Sequence, residues 1–478
     1  MASARVQRIE APGWIDPERV FAHGFADAPY AIWLDGGSDA AHGMSVIAAA
    51  DASSVLLTAE AVVGTRTRSR PLAPGDAPIT FPGSVFDAAE FRDAPLDAAA
   101  APLGWIGWFG YEAGAERLGV DVAPAETPDA ALLFVDRALV FDHAARRVAA
   151  CWLEGDADTA GADAGTAALA REPAREWARR VLAEAEAAAG IPVPAPAAPE
   201  AARAEWRFDA GEYEALIGRC QAAITAGDAY QLCLTNRIDV AVRPDPASAY
   251  LALRAGSPSH HGGYLRFGEH ALLSASPEQF LSIDRDRVAV TKPMKGTRPR
   301  SADPARDRGL ARELLESEKE RAENLMIVDL MRNDLGRVAR LGTVRVPELL
   351  AVEEYAHVHQ LVSTVTAELA DGVDPIDAVA SCFPAGSMTG APKLSAMATL
   401  HALERGPRGV YSGAFGYLSV DGSVDLAMVI RSIVLTPRGA SIGTGGGITA
   451  LSVPAEEVEE TRVKARALLA VLGAPLVQ

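Results

Sequence analysis

The sequence predicts an α+β fold built on large antiparallel sheets. Three observations point there. Helical and strand-like stretches follow one another without the regular alternation of a doubly wound sheet. The chain up to about residue 153 consists of short apolar runs bounded by Gly, Pro and Asp. The last part carries three successive strand candidates, 410–420, 427–436 and 440–450, ahead of a final helix starting at Pro454.

In chain order, Tyr30–Leu34, Ser54–Leu57 and Ala131–Val135 are strand candidates. Gly104 to Glu112 sets aromatic residues between glycines, the pattern of a bent strand that another backbone approaches closely. From Gly155 to Glu205 alanine dominates, and the proline-rich Ile191–Pro199 is a stiff extended linker after an Ala/Glu helix. This divides the sequence into regions 1–199 and 200–478. Asp209 and Glu212 have the spacing of a capping box, opening a helix whose face is Tyr213, Leu216, Ile217, Cys220 and Ile224 and which ends near Gly227. Strand-like runs follow at Tyr230–Val240, Ala271–Ser274 and Arg287–Thr291, where Pro293 and Pro299 should stop further pairing. Asp303-Pro304 opens a helix, Ser317 to Glu320 has the spacing of a second capping box, and His357–Val365 is again strand-like. No internal repeat is present.

Composition narrows the function classes. Of 478 residues, 49% are hydrophobic and 23% charged, which is the balance of a folded chain rather than a disordered one. A net charge of −18 disfavours nucleic acid and anionic membranes as partners, although a local cluster can still hold a small anion. The N-terminal residues lack an apolar core like a signal peptide's, and no window approaches about 18 uncharged apolar residues, so the expectation is a cytoplasmic protein without a membrane span. The four cysteines, Cys151, Cys220, Cys233 and Cys382, include no C-x-x-C pair and indicate neither disulfides nor zinc.

Chemistry concentrates in a few places. Lys292 to Arg300 packs four cations and two prolines around Gly296. Lys295 there is a candidate nucleophile, and neutralising it means moving its pKa from about 10.4 to about 7, roughly 4–5 kcal/mol. Burial and the cations Lys292, Arg298 and Arg300 push in that direction. Two acidic pairs, Glu320/Glu323 and Glu457/Glu460, each share one helix face near a helix start. Such oxygen-only sets suit Mg²⁺, and they equally suit the positive ends of helices. Gly445-Gly446-Gly447 could bare backbone N–H groups to an anion or form a bulged hairpin. Arg431 lies within an apolar strand candidate with no acidic neighbour in sequence, so its guanidinium calls for an anion, and Tyr411 and Lys464 add a phenol and an ammonium.

Together these residues resemble the chorismate-binding enzymes, the family of anthranilate synthase component I, aminodeoxychorismate synthase component I, isochorismate synthase and salicylate synthase. The resemblance runs from about Gly227 to Lys464. It rests on Gly227–Gln231, Ser276-Pro-Glu278, Lys295–Arg300, Arg321–Leu330, Arg332-Asn-Asp334, Thr389–Lys393, Tyr411–Tyr417, Gly445–Gly447 and Glu457–Thr461. It is less distinct at Tyr30–Leu34 and Gly104–Glu112.

The resemblance implies an anthranilate synthase component I-like fold, with large antiparallel sheets sandwiched between helices. It implies that Glu323 and Glu460 bind Mg²⁺ directly, with Glu320 and Glu457 acting through water, and that the metal grips the ring carboxylate of chorismate. Gly296, Thr297 and Lys464 would help hold that carboxylate. Tyr411, Arg431 and the Gly445–Gly447 backbone would hold the enolpyruvyl carboxylate, Thr389 would belong to the substrate site, and Glu278 would protonate the departing C4 hydroxyl. Gln231 stands where isochorismate and salicylate synthases carry a water-activating lysine, so water is not the expected nucleophile. Lys295 stands where anthranilate synthases carry alanine and resembles the aminodeoxychorismate synthases, in which lysine attacks C2 and ammonia then attacks C4. Anthranilate synthase is the alternative, ahead of a non-catalytic chorismate-binding protein. No cysteine sits beside a glycine, as a glutaminase nucleophile normally does, so ammonia is expected from a glutamine amidotransferase subunit. Gln360 replaces a histidine common in relatives.

Overall fold

Among the described residues two antiparallel sheets, each of twelve strands, carry the molecule. The computed structural model describes residues 5–60, 65–72, 79–80, 84–88, 101–154, 172–355 and 358–476. Part of the alanine-dominated stretch, 155–171, and His357 lie outside the described residues.

In the first sheet the central strands run in the order Tyr30–Asp35, His261–Phe267, His270–Ser276, Ser432–Thr436, Gly439–Ile448 and Gln231–Val240. In the second the order is Met294–Pro299, Val358–Glu368, Val288–Thr291, Gln279–Ile283, Val424–Met428, Ala414–Ser419, Gly104–Phe109 and Ala130–Val135. Both sheets draw strands from both sides of residue 199: Tyr30–Asp35 pairs with His261–Phe267, and Gly104–Phe109 with Ala414–Ser419. A boundary there divides the sequence, while the strands on either side of it interleave.

The layering follows from alternation along the strands. Ile32 joins Ile106, Trp108, Leu133, Leu265 and Phe415 in a core between the sheets, while its neighbours Ala31 and Trp33 face the other way. There they pack with residues of the helices Pro17–Gly24, Ala174–Ala188, Pro246–Gly256 and Pro454–Val471. The second sheet's outer face packs on Glu318–Gly336 and Pro375–Cys382. The result is helices, sheet, sheet, helices. With both faces covered, the strands read as nearly continuous apolar runs.

Several expectations hold in detail. Asp209 and Glu212 form a reciprocal capping box, and Gly227 ends the helix with φ 87°. Gly107 lies so close to the backbone of Ala131 that no side chain could be accommodated. Ile191–Pro199 is irregular and mostly exposed after the helix Ala174–Ala188.

Others are corrected. Pro293 interrupts pairing only briefly, and the chain pairs again over Met294–Pro299 with the same partner strand, Val358–Glu368. Ser317 caps its helix by accepting from the N–H of Glu320, but Glu320 does not reciprocate. The candidate 427–436 is two strands, Val424–Met428 and Ser432–Thr436, broken at Arg431 with φ 51°. Arg345–Glu354, an irregular strand added to Val358–Glu368, was not anticipated from the sequence.

Candidate active site

Lys295 lies inside the strand Met294–Pro299, one residue before an irregularity at Gly296, where φ is 74°. Glycine suits position 296 because the backbone there is left-handed, and a Cβ would also crowd Leu314 and the Glu320 carboxyl at 2.7 and 2.9 Å. The three cations expected to depress Lys295 are drawn off instead: Lys292 to Glu353 at 3.3 Å, Arg298 to Glu313 at 2.9 Å and Arg300 to Asp307 at 3.0 Å. The nearest charge to Lys295 Nζ is the Glu323 carboxylate at 3.9 Å. Burial alone favours the neutral amine, but Glu323, with Cys233, Glu278 and Glu460, outweighs it and raises the Lys295 pKa. As the chain stands Lys295 is an ammonium, which corrects the expected depression.

Glu278 lies on the crossing from His270–Ser276 in one sheet to Gln279–Ile283 in the other, held by the Met428 N–H donating to its carbonyl at 3.0 Å. Its residue is 8% exposed, and burial lifts its carboxyl to about 7, partly offset by Lys295 and a hydrogen bond with Ser387. A carboxyl half-protonated near neutrality beside an amine is suited to proton donation.

Four carboxylates come in from two helices. Glu457 lies 3.1 Å from where a Cβ on Gly446 would be, and Glu323 lies 3.5 Å from the same point on Gly447, so both pairs adjoin the glycine strand. Each carboxylate meets a cation of the chain: Lys319 donates to Glu457 at 2.9 Å and Lys464 to Glu460 at 2.6 Å, and Arg298 approaches Glu320 to 3.9 Å. Among the described residues no three metal-ligating side chains converge closely enough to cage an ion as they stand. The donors nevertheless fit Mg²⁺: they are oxygen only, and burial, with Glu320 and Glu457 nearby, lifts Glu323 to about 6. Burial is the largest cause of that lift, and the two neighbouring carboxylates add to it.

Gly445-Gly446-Gly447 is neither a nest nor a bulged hairpin. It is regular strand, paired residue by residue with Thr235, Leu234 and Cys233. Pairing with Ser432–Thr436 covers only 439–442, so among the described residues no strand covers 443–448 on the side away from Gln231–Val240. The break at Arg431 creates that open edge. Arg431 is therefore exposed at a strand break rather than buried within a strand. The Tyr411 ring lies flat against Gly443. Lys464 donates to the Gly445 carbonyl at 2.7 Å.

Thr389 is fully buried; its hydroxyl donates to the Ala385 carbonyl at 3.2 Å, and its own carbonyl accepts from Cys233 N–H, so it meets the site through backbone. Thr297 is exposed. Gln231 is 1% exposed, and neither polar atom of its amide has a partner. Gln360 lies opposite Thr297 in the strand pairing, while the adjacent His359 turns away to Asp307 at 2.9 Å.

Sequence reasoning missed Lys319, Ser387 and Cys233. Lys319 had a signal, since it immediately precedes Glu320 at a helix start. Cys233 had one too: two residues after Gln231 on a strand, it must share its face.

The family described as chorismate binding enzyme matches residues 80–470. An aminodeoxychorismate synthase of Streptomyces pristinaespiralis is 42% identical over 464 residues, 96% of this chain and 64% of that protein. One of Streptomyces griseus is 48% identical over 391 residues, 81% of this chain and 52% of that protein. The chain thus spans about half to two thirds of the length of these relatives. The crystal structure of anthranilate synthase component I from Streptococcus pneumoniae TIGR4 superposes with a TM-score of 0.73 at 27% identity, covering 88% of this chain and 91% of that one.

Proposed function

The chain belongs to the chorismate-binding enzyme family, and from that premise we propose that it aminates chorismate at C4 to give 4-amino-4-deoxychorismate. The observation that carries this reading is Lys295 set beside Glu278, a primary amine and a carboxyl near 7 within one site. Similarity to two aminodeoxychorismate synthases favours C4 over C2.

In the proposed reaction Glu278 gives its proton to the departing C4 hydroxyl, which leaves as water. Lys295, once its ammonium has given a proton to solvent, forms a bond to C2 through the neutral amine as the C4–O bond breaks and the ring double bond shifts. Ammonia then bonds to C4, the double bond shifts back, and the C2–N bond to Lys295 breaks. The surplus proton returns to the Glu278 carboxylate. Chorismate and ammonia thus give the product and water, with Lys295 regenerated. Arg431, Tyr411 and the open edge of the Gly445–Gly447 strand would orient the enolpyruvyl carboxylate. Gly296, Thr297 and Lys464 would assist at the ring carboxylate. When bound, Mg²⁺ would be held by Glu323 and Glu460 directly and by Glu320 and Glu457 through water, gripping the ring carboxylate and offsetting the charge that keeps Lys295 protonated. Ammonia would come from a glutamine amidotransferase subunit.

The test is incubation with chorismate, Mg²⁺ and an ammonium salt. The expected product becomes p-aminobenzoate once a separate lyase is added. Anthranilate as the main product would overturn C4 amination and favour the alternative that the fold likeness to anthranilate synthase component I keeps open.

A further inference from the structure

We propose that Arg408, which touches no part of the reacting centre described above, is the positioning residue of the wall against which the substrate lies. The inference rests on the chorismate reading. The Arg408 side chain is 1% exposed and makes five hydrogen bonds: Nε and one terminal nitrogen to the two Glu404 oxygens at 2.8 and 2.7 Å, and the others to the carbonyls of Cys233 at 2.9 Å and Met388 at 2.6 Å and the Ser412 hydroxyl at 3.4 Å. That uses the whole donor fork of a guanidinium. Its flat face lies 4.2 Å from the Tyr111 ring centroid. Glu404 also accepts the Thr235 N–H at 2.9 Å, and Glu112 accepts the N–H groups of Arg408 and Gly409 at 2.8 and 2.9 Å.

The segments fixed this way are those that form the substrate side of the site. Cys233 pairs with Gly447 and Thr235 with Gly445, so the carbonyl and N–H that Arg408 and Glu404 hold set the position of the triple-glycine strand. Met388 precedes Thr389, and Arg408 lies three residues before Tyr411, whose ring rests on Gly443. One buried guanidinium thereby ties together the strand Gln231–Val240, the turn at 386–388 and the segment carrying Tyr411. Lys295 and Glu278 belong to the other sheet and its crossing, and none of the five bonds reaches them or the four carboxylates. Loss of the fork should therefore loosen the grip on the substrate and spare the chemical step.

The experiment compares wild type with Arg408→Lys, which keeps the charge but cannot donate in a planar fork. The expected result is a chorismate KM raised about 10-fold, with kcat within about 3-fold and the Mg²⁺ requirement unchanged. Arg254→Lys, at a buried pair with Asp35 that shares no hydrogen-bond partner with Arg408, is the control and should leave KM alone. A purely structural Arg408 would lower kcat with the folded fraction and leave KM unchanged, and that pattern overturns the proposal. If Arg408→Lys does not accumulate folded, Glu404→Gln, which keeps the guanidinium but weakens its anchor, must raise KM in the same way, and an unchanged KM there also overturns it. Wild-type enzyme that does not consume chorismate would defeat the functional reading itself, a result distinct from either.

Discussion

Replacing Glu278 by Gln should slow the reaction and at the same time stabilise the protein at alkaline pH. Burial raises this carboxyl from 4.5 to about 7, and at about 1.36 kcal/mol per unit, ionising it in place costs roughly 3 kcal/mol. Because the folded-state pKa is raised, the folded chain binds more protons than the unfolded chain between pH 4.5 and about 7. Stability therefore falls as pH rises through that window and stays lower above it. Glu278→Gln removes the penalty: unfolding in urea should show a gain of up to roughly 3 kcal/mol at pH 8 and nearly none at pH 4. In catalysis the protonated acid is required, so the ratio of wild-type to Glu278→Gln kcat/KM for chorismate, measured at constant free NH₃, should fall about tenfold per pH unit above about 7, the titration of Lys295 being common to both. Below that the variant should lose on the order of 10²–10⁴ in rate. A ratio that does not change with pH would refute the assignment, and so would a variant no more stable than wild type at pH 8.

Four further outcomes follow from the same geometry. Lys295→Ala should abolish C4 amination and any adduct on the chain detectable by mass spectrometry of a quenched reaction; retained amination would rule out covalent participation. Glu323→Gln and Glu460→Gln should each cut turnover severely and weaken Mg²⁺ binding measured by calorimetry, with the melting profile intact; unchanged Mg²⁺ binding in both would reduce the carboxylates to helix-end charges. Lys393→Met should destabilise by about 3–5 kcal/mol, because it strands the Asp334 carboxylate, now 2.6 Å from Lys393 and 5% exposed, and a loss below about 1 kcal/mol would contradict this. Glutamine should not replace ammonia for the purified chain, since all four cysteines are buried and burial lifts Cys151, Cys220 and Cys382 to about 12 and raises Cys233; glutamine-dependent amination free of contaminating glutaminase would reopen the search for a thiol nucleophile.

The helices announced themselves through local rules, as at Asp209, where the cap, the apolar face and the terminal glycine lie within nineteen consecutive residues. The antiparallel class was legible too, because runs such as Tyr30–Leu34 and Ala131–Val135 are short, apolar and bounded by turn residues. What no local pattern carried was the set of partners each charge would find. Lys292, Arg298 and Arg300 read as neighbours of Lys295 because they adjoin it in sequence, yet carboxylates on other elements claim all three. Arg431 read as a strand residue because its flanks are apolar, and only the left-handed backbone shows the break that opens one edge of the glycine strand. Arg408 was not singled out, since its role rests on partners as far as Met388 and Cys233, 20 and 175 residues away.

The interleaving of strands from either side of residue 199 also governs how the chain can be made. Residues 104–109 leave the ribosome long before their neighbours 414–419 exist, and until then the strand edges they present have nothing to bond. Synthesis should therefore pass through a stage in which the early half is committed to no finished sheet and depends on protection from association with other chains. Once complete, the same arrangement works in reverse. A protease that nicks the exposed run from Ile191 to Pro199 should cut one polypeptide into two without releasing either, because the hydrogen-bonded ladders that cross the nick hold the pieces together in both sheets.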